Sequence, residues 1–451
     1  MLDEGKGFPV CSELPRREGH NSAVKRWVAS FAIAVLACAW IALQSPTSSS
    51  LLQDSDTAVL LNALEERSSP LSWFLGDWPL QNHFYRPVST LLFEGDLALW
   101  GRDGAGFGAT NTALCILSVL ALFWFIRELT DSPILAAGAS LLFANLHFAR
   151  PIPFGSGLTL AAIVAAFAVV LRPENLKMSA YASLLWVFAA ATASGLSPFY
   201  GGVQAWLPGR TASSMTVFLL GALSAYARFE RLRKTGESRA SWILASFGLM
   251  LLALGCYEQA VVAPGLLALI AVRFWLDGKR PAWPIVAGAI ALVGAYAVLR
   301  TQLVPLSPSG YQSQQFRSGP GVGMSLLGYA FPAGQALWLG GSSLALGWAV
   351  GFTALPYSLA LNVASNLAGL RAALTRPSVL AFGWVASLVA FLPMAWLKPF
   401  AHYDYLPTAL RMLLAAGLIA AAAQATAIAI SRRAIPAPLR PDPAPGSLPR
   451  R

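Results

Sequence analysis

The stretch RWVASFAIAVLACAWIALQ, Arg26 to Gln44, followed shortly by LLQDSDTAVLLNALEE, Leu51 to Glu66, decides how the whole chain is read. The first part, from residue 27 to 44, is an apolar run of about the length that a helix needs to cross roughly 30 Å of hydrocarbon. The second part has a helical pattern introduced by two carboxylates, Asp54 and Asp56, that bracket one serine. One span therefore delivers two aspartates to a membrane surface. Acidic as well as basic residues precede the run, and VLAC at Val35 to Cys38 matches a lipoprotein cleavage box only loosely. The run is expected to remain as an anchor.

Runs of the same kind recur along the chain. Of 451 residues 56% are hydrophobic and 12% charged, a balance foreign to water-soluble domains. Further candidate spans lie near residues 107–126, 132–149, 157–171, 178–194, 213–227, 241–257, 259–275, 282–299, 343–366, 379–396 and 406–430. The expected fold is all-α, a polytopic membrane protein of about twelve transmembrane helices. Residues 320–345 read either as an interfacial helix or as part of another span. Residues 1–26 form an N-terminal tail, 27–430 the membrane domain, and 431–451 a disordered proline-rich tail.

Charge orients this set. With twelve crossings and both termini cytoplasmic, the 32 Lys and Arg divide into 23 inside and 9 outside, the expected positive-inside asymmetry. The net charge of +11 then follows from topology in the cell (inner) membrane. It needs no nucleic-acid partner, which would require a solvated basic domain with aromatic platforms. Cys38, Cys115 and Cys256 fall in spans and Cys11 in the cytoplasmic tail, so disulfides are not expected. The long outside loops are 45–106 and 300–342, and function is expected on that face.

On that face, TAVLLNALEE looks helical from Thr57, so Asp56 is expected as its N-cap. That leaves Asp54, held at the bilayer surface, as a candidate base. Glu258, in GCYEQAVVAP (Gly255 to Pro264), lies between two apolar runs, where an acid must face protein or water; an ordinary turn glutamate is the alternative. In KPFAHYDYLPTALRM, Lys398 to Met412, His402, Tyr403 and Asp404 make a polar, aromatic cluster above Arg411. That arginine either snorkels to the surface or reaches an anion such as a lipid phosphate.

These segments resemble a known family. DSD, then HFYRPVSTLLFEGDLALWG, then GFGATNTALCILSVLALFWFI is similar to the GT-C superfamily of membrane glycosyltransferases. The closer likeness is to the branch of protein O-mannosyltransferase-like enzymes and tetratricopeptide-bearing transmembrane O-mannosyltransferases. Tyr85, Arg86, Pro87 and Asn111 stand where that branch has its "YRP" segment and the asparagine of the following span. Tyr257 to Gln259 with Pro264, and HYDYLP at His402 to Pro407, match two later motifs. The acid expected near His147 in FANLHFARPIPFGSG is missing, and no tetratricopeptide stretch follows the last span in this sequence. The first departure leaves the acceptor open, and the second removes an obvious protein-binding module.

The resemblance implies transfer of a sugar from a polyprenyl-phosphate carrier in the membrane lipid to an acceptor at the outer face. It implies Asp54 or Asp56 as the base that takes the acceptor proton. Tyr85, Arg86, Arg300, His402, Tyr403, Asp404 and Arg411 would surround the substrates, the arginines meeting the leaving phosphate. Glu258 would orient an arginine or the sugar. A magnesium or manganese ion would fit between carboxylates, but neither the resemblance nor the DxD pattern requires one, and no metal ligand is assigned. The alternatives are a transporter or flippase of lipid-linked sugars and a catalytically inactive membrane scaffold.

Overall fold

The computed structural model describes residues 14–46, 49–67, 69–151, 185, 186, 188, 189, 191, 192, 196, 198–233, 239–317, 319–330 and 377–431. The described residues are all-α, with a single antiparallel bridge between Phe316 and Leu397 as their only β-type pairing. Five helices are long and apolar enough to cross a membrane: Gly104–Thr130, Glu258–Leu276, Trp283–Leu303, Ser378–Trp396 and Ala401–Ala425. Trp27–Ala42, Pro133–Asn145 and Ala240–Cys256 are shorter apolar helices. The spans expected near 157–171, 178–194 and 343–366 lie wholly or mainly outside the described residues, as does the 432–451 tail.

The first loop folds on itself. α1 (Leu14–Ala42) begins within the stretch expected as a tail and packs on α4 (Gly104–Thr130) and α5 (Pro133–Asn145). Between α1 and α4 the chain forms α2 (Ser55–Glu66) and α3 (Pro87–Trp100). Pro87 starts α3, at a position where its missing N–H costs nothing. Asp103 starts α4, accepting from the Ala105 and Gly106 N–H groups. Leu60, Leu61 and Leu64 of α2 share a small core with Trp73, Trp78, Phe93, Phe107 and Leu207. That core keeps the loop against the helices instead of leaving it loose in water.

After α5 the described helices are α6 (Arg210–Leu232), α7 (Ala240–Cys256), α8 (Ala263–Leu276), α9 (Trp283–Leu303), α10 (Gly310–Gln315), α11 (Pro320–Ala330), α12 (Pro377–Phe391) and α13 (Tyr405–Ser431). α6 covers the expected span 213–227, yet it is not among the five long apolar helices. Its first turns carry buried Arg210, Ser213, Ser214 and Thr216, and its last turns carry Arg228, Glu230 and Arg231. It stays in the protein interior, where polar groups find protein partners. Of the 320–345 stretch, the described part is α11, which leans on α12 by stacking Tyr329 on Phe391 at 4.0 Å.

The bundle has two chemically distinct ends. α4 and α6 run parallel, since Arg210 meets Asn111 at their starts and Arg228 meets Glu128 at their finishes. α7 runs back, with Trp242 beneath Arg228 and the Cys256 carbonyl accepting from Ser89 of α3. The starts of α3, α4 and α6 and the finish of α7 therefore gather at one end. Arg127, Glu128, Arg228, Glu230, Arg231 and Arg233 gather at the other. Cys38, Cys115 and Cys256 are buried free thiols.

Candidate active site at the loop end of the bundle

Asp54, and not Asp56, caps α2. The helix starts at Ser55, so its third residue is Thr57, and that N–H reaches back to Asp54 Oδ2 at 3.3 Å. The expected cap at Asp56 is thereby corrected: Asp56 lies in the first helical turn with solvent on it. Partial burial and the neighbouring Asp54 charge hold its carboxyl above the usual range. Asp54 Oδ2 takes a second donor, Trp206 Nε1 at 3.2 Å. Among the described residues no group of three or more His, Cys, Asp or Glu is placed to hold a metal ion.

Trp206 carries the site onward. Its ring lies 5.0 Å from His402, and His402 lies 6.4 Å from Tyr257. The Tyr257 ring is 4.5 Å below the Arg86 guanidinium, which Phe84 at 4.1 Å and Trp78 at 4.9 Å also flank. Arg86 Nε donates to Glu258 Oε2 at 2.9 Å, and the Tyr85 N–H donates to Glu258 Oε1 at 2.9 Å. Both Glu258 oxygens are thus used, so Glu258 is no solvent-facing turn residue. Burial works most strongly against the Arg86 charge, but Glu258, Tyr257 and Tyr403 together outweigh it and raise the arginine pKa above its ordinary value. Arg86 remains a cation whose Nε edge is fixed and whose two Nη groups make no hydrogen bond to a described residue.

Gln259 ties in the remaining motif, donating to the Tyr403 carbonyl at 3.1 Å and to the Ala390 carbonyl at 3.0 Å. Tyr85, Arg86, Glu258, His402 and Tyr403 are therefore assembled, and Trp206 links Asp54 to them. Arg300, Asp404 and Arg411 have other partners, although Arg300 lies within electrostatic reach of Tyr296, as do Arg86 and Glu258. Arg300 Nη2 donates to the His83 carbonyl at 2.8 Å, bracing the first loop. Arg411 donates to the Tyr329 carbonyl and lies 4.4 Å over the Tyr329 ring, joining α13 to α11. Asp404 lies within electrostatic reach of Arg411 and Tyr329. His147 is fully buried, with Nε2 hydrogen-bonded to the Tyr405 hydroxyl at 2.7 Å, so it serves packing.

Beneath these residues lies a buried polar network. Arg210 Nη2 pairs with Asp96 Oδ2 at 2.6 Å, and Arg210 Nε donates to Asn111 Oδ1 at 2.7 Å. Asn111 Nδ2 in turn donates to the carbonyls of Gln204 at 3.1 Å and Trp206 at 3.4 Å. The network joins α3, α4 and α6 and fixes the backbone that presents Trp206. Gly209 allows the tight approach, because a Cβ there would meet the Gly202 carbonyl at 2.5 Å. Trp206 and Arg210 are the two residues that sequence reasoning missed. The signal was present in the polar start of the 213–227 run and in Asn111 among apolar neighbours. Compared with known proteins, the chain matches no family model, no curated protein and no solved structure.

Proposed function

We propose that the chain is an integral-membrane glycosyltransferase of hexosyltransferase type, taking a sugar from a polyprenyl-phosphate carrier to an acceptor hydroxyl at the outer membrane face. The observation that carries this reading is the junction of four segments far apart in sequence, in which Asp54, Trp206, His402, Tyr257, Arg86 and Glu258 follow one another. The Asp54 carboxylate stands at one end of this row and the caged Arg86 guanidinium, held by Glu258, toward the other. Transfer between a neutral hydroxyl and a phosphate leaving group needs a proton acceptor and a cation at separate points. We further propose about twelve crossings with both termini cytoplasmic, a topology supported by the charged residues gathered at the end opposite the site.

In this mechanism the acceptor oxygen attacks the anomeric carbon, and its proton passes to the Asp54 carboxylate. The bond from the anomeric carbon to the phosphate oxygen breaks with its electron pair on that oxygen. The free Nη edge of Arg86 meets the growing phosphate charge, a geometry that suits a planar fork better than a point charge. Glu258 holds Arg86 in place through Nε and touches neither substrate. Aromatic walls lower the local dielectric and strengthen that contact. A flippase would need polar groups deep within spans. Among the described residues the ion pairs lie at the two ends of the bundle, which favours the enzyme reading.

The test is incubation of membranes containing the chain with radiolabelled polyprenyl-phosphate sugars, with Asp54→Asn as the control. A labelled product from the wild type and none from the variant is expected. Equal product from both, or none from any carrier sugar, would overturn the reading.

A further inference from the structure

At the end opposite the candidate active site, α4 and α6 bring three arginines onto one buried carboxylate. Glu128 Oε1 accepts from Arg127 and from Arg228 Nη1 at 3.0 Å, and Glu128 Oε2 pairs with Arg231 Nη2 at 2.8 Å. Arg231 also reaches Asp131 at 2.9 Å, so its fork is occupied. Arg127 and Arg228 each spend one nitrogen on Glu128, and each side chain stays partly exposed, at 23% and 26%. Both lie over the same ring: their Cζ atoms are 5.6 Å and 5.9 Å from Trp124. Arg228 also covers Trp242 at 4.9 Å. Arg228 Nε and Arg231 Nε are buried donors without a hydrogen-bond partner among the described residues.

Two guanidiniums converging on one tryptophan, at the end of a helix apolar enough to cross a membrane, place cations at headgroup depth. Tryptophans collect at that depth because one edge is polar and the body apolar. Trp27 and Phe31 of α1, through Phe123, extend the same belt. Glu128 and Asp131 offset two of the three arginine charges, so one positive charge is left over beside the partly exposed Arg127 and Arg228 side chains. A soluble anion would be met by this charge alone. A phospholipid brings acyl chains that the apolar flanks of α4 and α7 also accept, so the belt selects the lipid.

We propose that Arg127 and Arg228, with Trp124 and Trp242, form a binding site for the phosphate of an anionic phospholipid. Glu128 and Arg231 position the pair. Such basic pockets between helices, close to the membrane surface, are chemically suited to anionic headgroups. The site is independent of the transfer reaction at the other end.

The experiment uses the full-length chain in phosphatidylcholine nanodiscs into which phosphatidylglycerol is titrated, read by thermal midpoint and by lipid adducts in native mass spectrometry. The wild type should show a saturable rise in midpoint and a retained phosphatidylglycerol adduct. Arg127→Gln and Arg228→Gln should each weaken the apparent affinity by about fivefold, the effect of one arginine near the surface. Glu128→Gln should tighten it, because it frees donors and adds net charge. Arg127→Gln leaves Glu128 with two partners, so it keeps the test available if Arg228→Gln does not fold. Absence of a phosphatidylglycerol effect, or an equal effect in the arginine variants, would overturn the proposal. An equal rise with inorganic phosphate alone would overturn the lipid as its source.

Discussion

Asp54 Oδ2 accepts from the Thr57 N–H and from Trp206 Nε1, so one carboxylate both starts a helix and faces the row of site residues. Asparagine is an equally good cap, and Asp54→Asn should hold the thermal midpoint while removing the proposed base. Transfer should fall by about 10²- to 10⁴-fold. Asp54→Ala should lose the same activity and, in addition, about 1 kcal/mol of stability in a denaturation series. Trp206→Phe keeps the ring on His402 but withdraws a donor from the ionised carboxylate. Transfer should then fall, with kcat reduced more than KM is raised. An unchanged kcat would reduce Trp206 to a packing residue. Asp56 behaves oppositely to a stabilising acid. Its folded pKa is raised, so the stability it contributes is present below its unfolded pKa and lost as pH rises through the folded value. Asp56→Asn should therefore stabilise the protein more at pH 7 than at pH 4, seen as a pH-dependent gap in thermal midpoint.

α3, α4 and α6 are joined by one buried ion pair, Arg210 with Asp96, and by Asn111 beside it. Removing only one charge strands the other in the interior. Arg210→Met alone should cost about 3–5 kcal/mol. Arg210→Met with Asp96→Leu should recover a large part of that, because the desolvation cost disappears with both charges. Additive losses in this double-mutant cycle would mean that the pair is not coupled as the structure has it. Apolar length placed α4 and α6 well, since it is a local property of the chain, whereas α3 lies in a stretch read only as outside loop. The start of α2 was missed by two residues because two aspartates in DSD both precede the apolar repeat. Only the position of the Thr57 N–H decides between them.

At the scale of the whole molecule, charge and chemistry separate along the bundle axis. The proposed topology predicts that single cysteines at Glu66 and Leu306, both exposed at the loop end, react with a membrane-impermeant thiol reagent in intact cells. A cysteine at the exposed Arg280 should react only after permeabilisation. The reverse pattern would invert the orientation and place the candidate site on the inner face. The three native cysteines among the described residues are buried, and Cys11→Ser removes the fourth thiol from the background.

The sequence by itself determined the all-α, membrane-seeking character of the chain, the positions of most described helices and the concentration of acid, arginine and aromatic residues in a few segments. Those properties depend on composition and short-range spacing. Tertiary structure alone decided that Arg86 pairs with Glu258 across 172 residues of chain and that Arg411 packs on Tyr329. It alone linked Asp54 to the other motifs through Trp206. Contacts of this kind depend on how helix ends meet in three dimensions, and a buried charge takes whichever partner the packing brings within hydrogen-bonding distance.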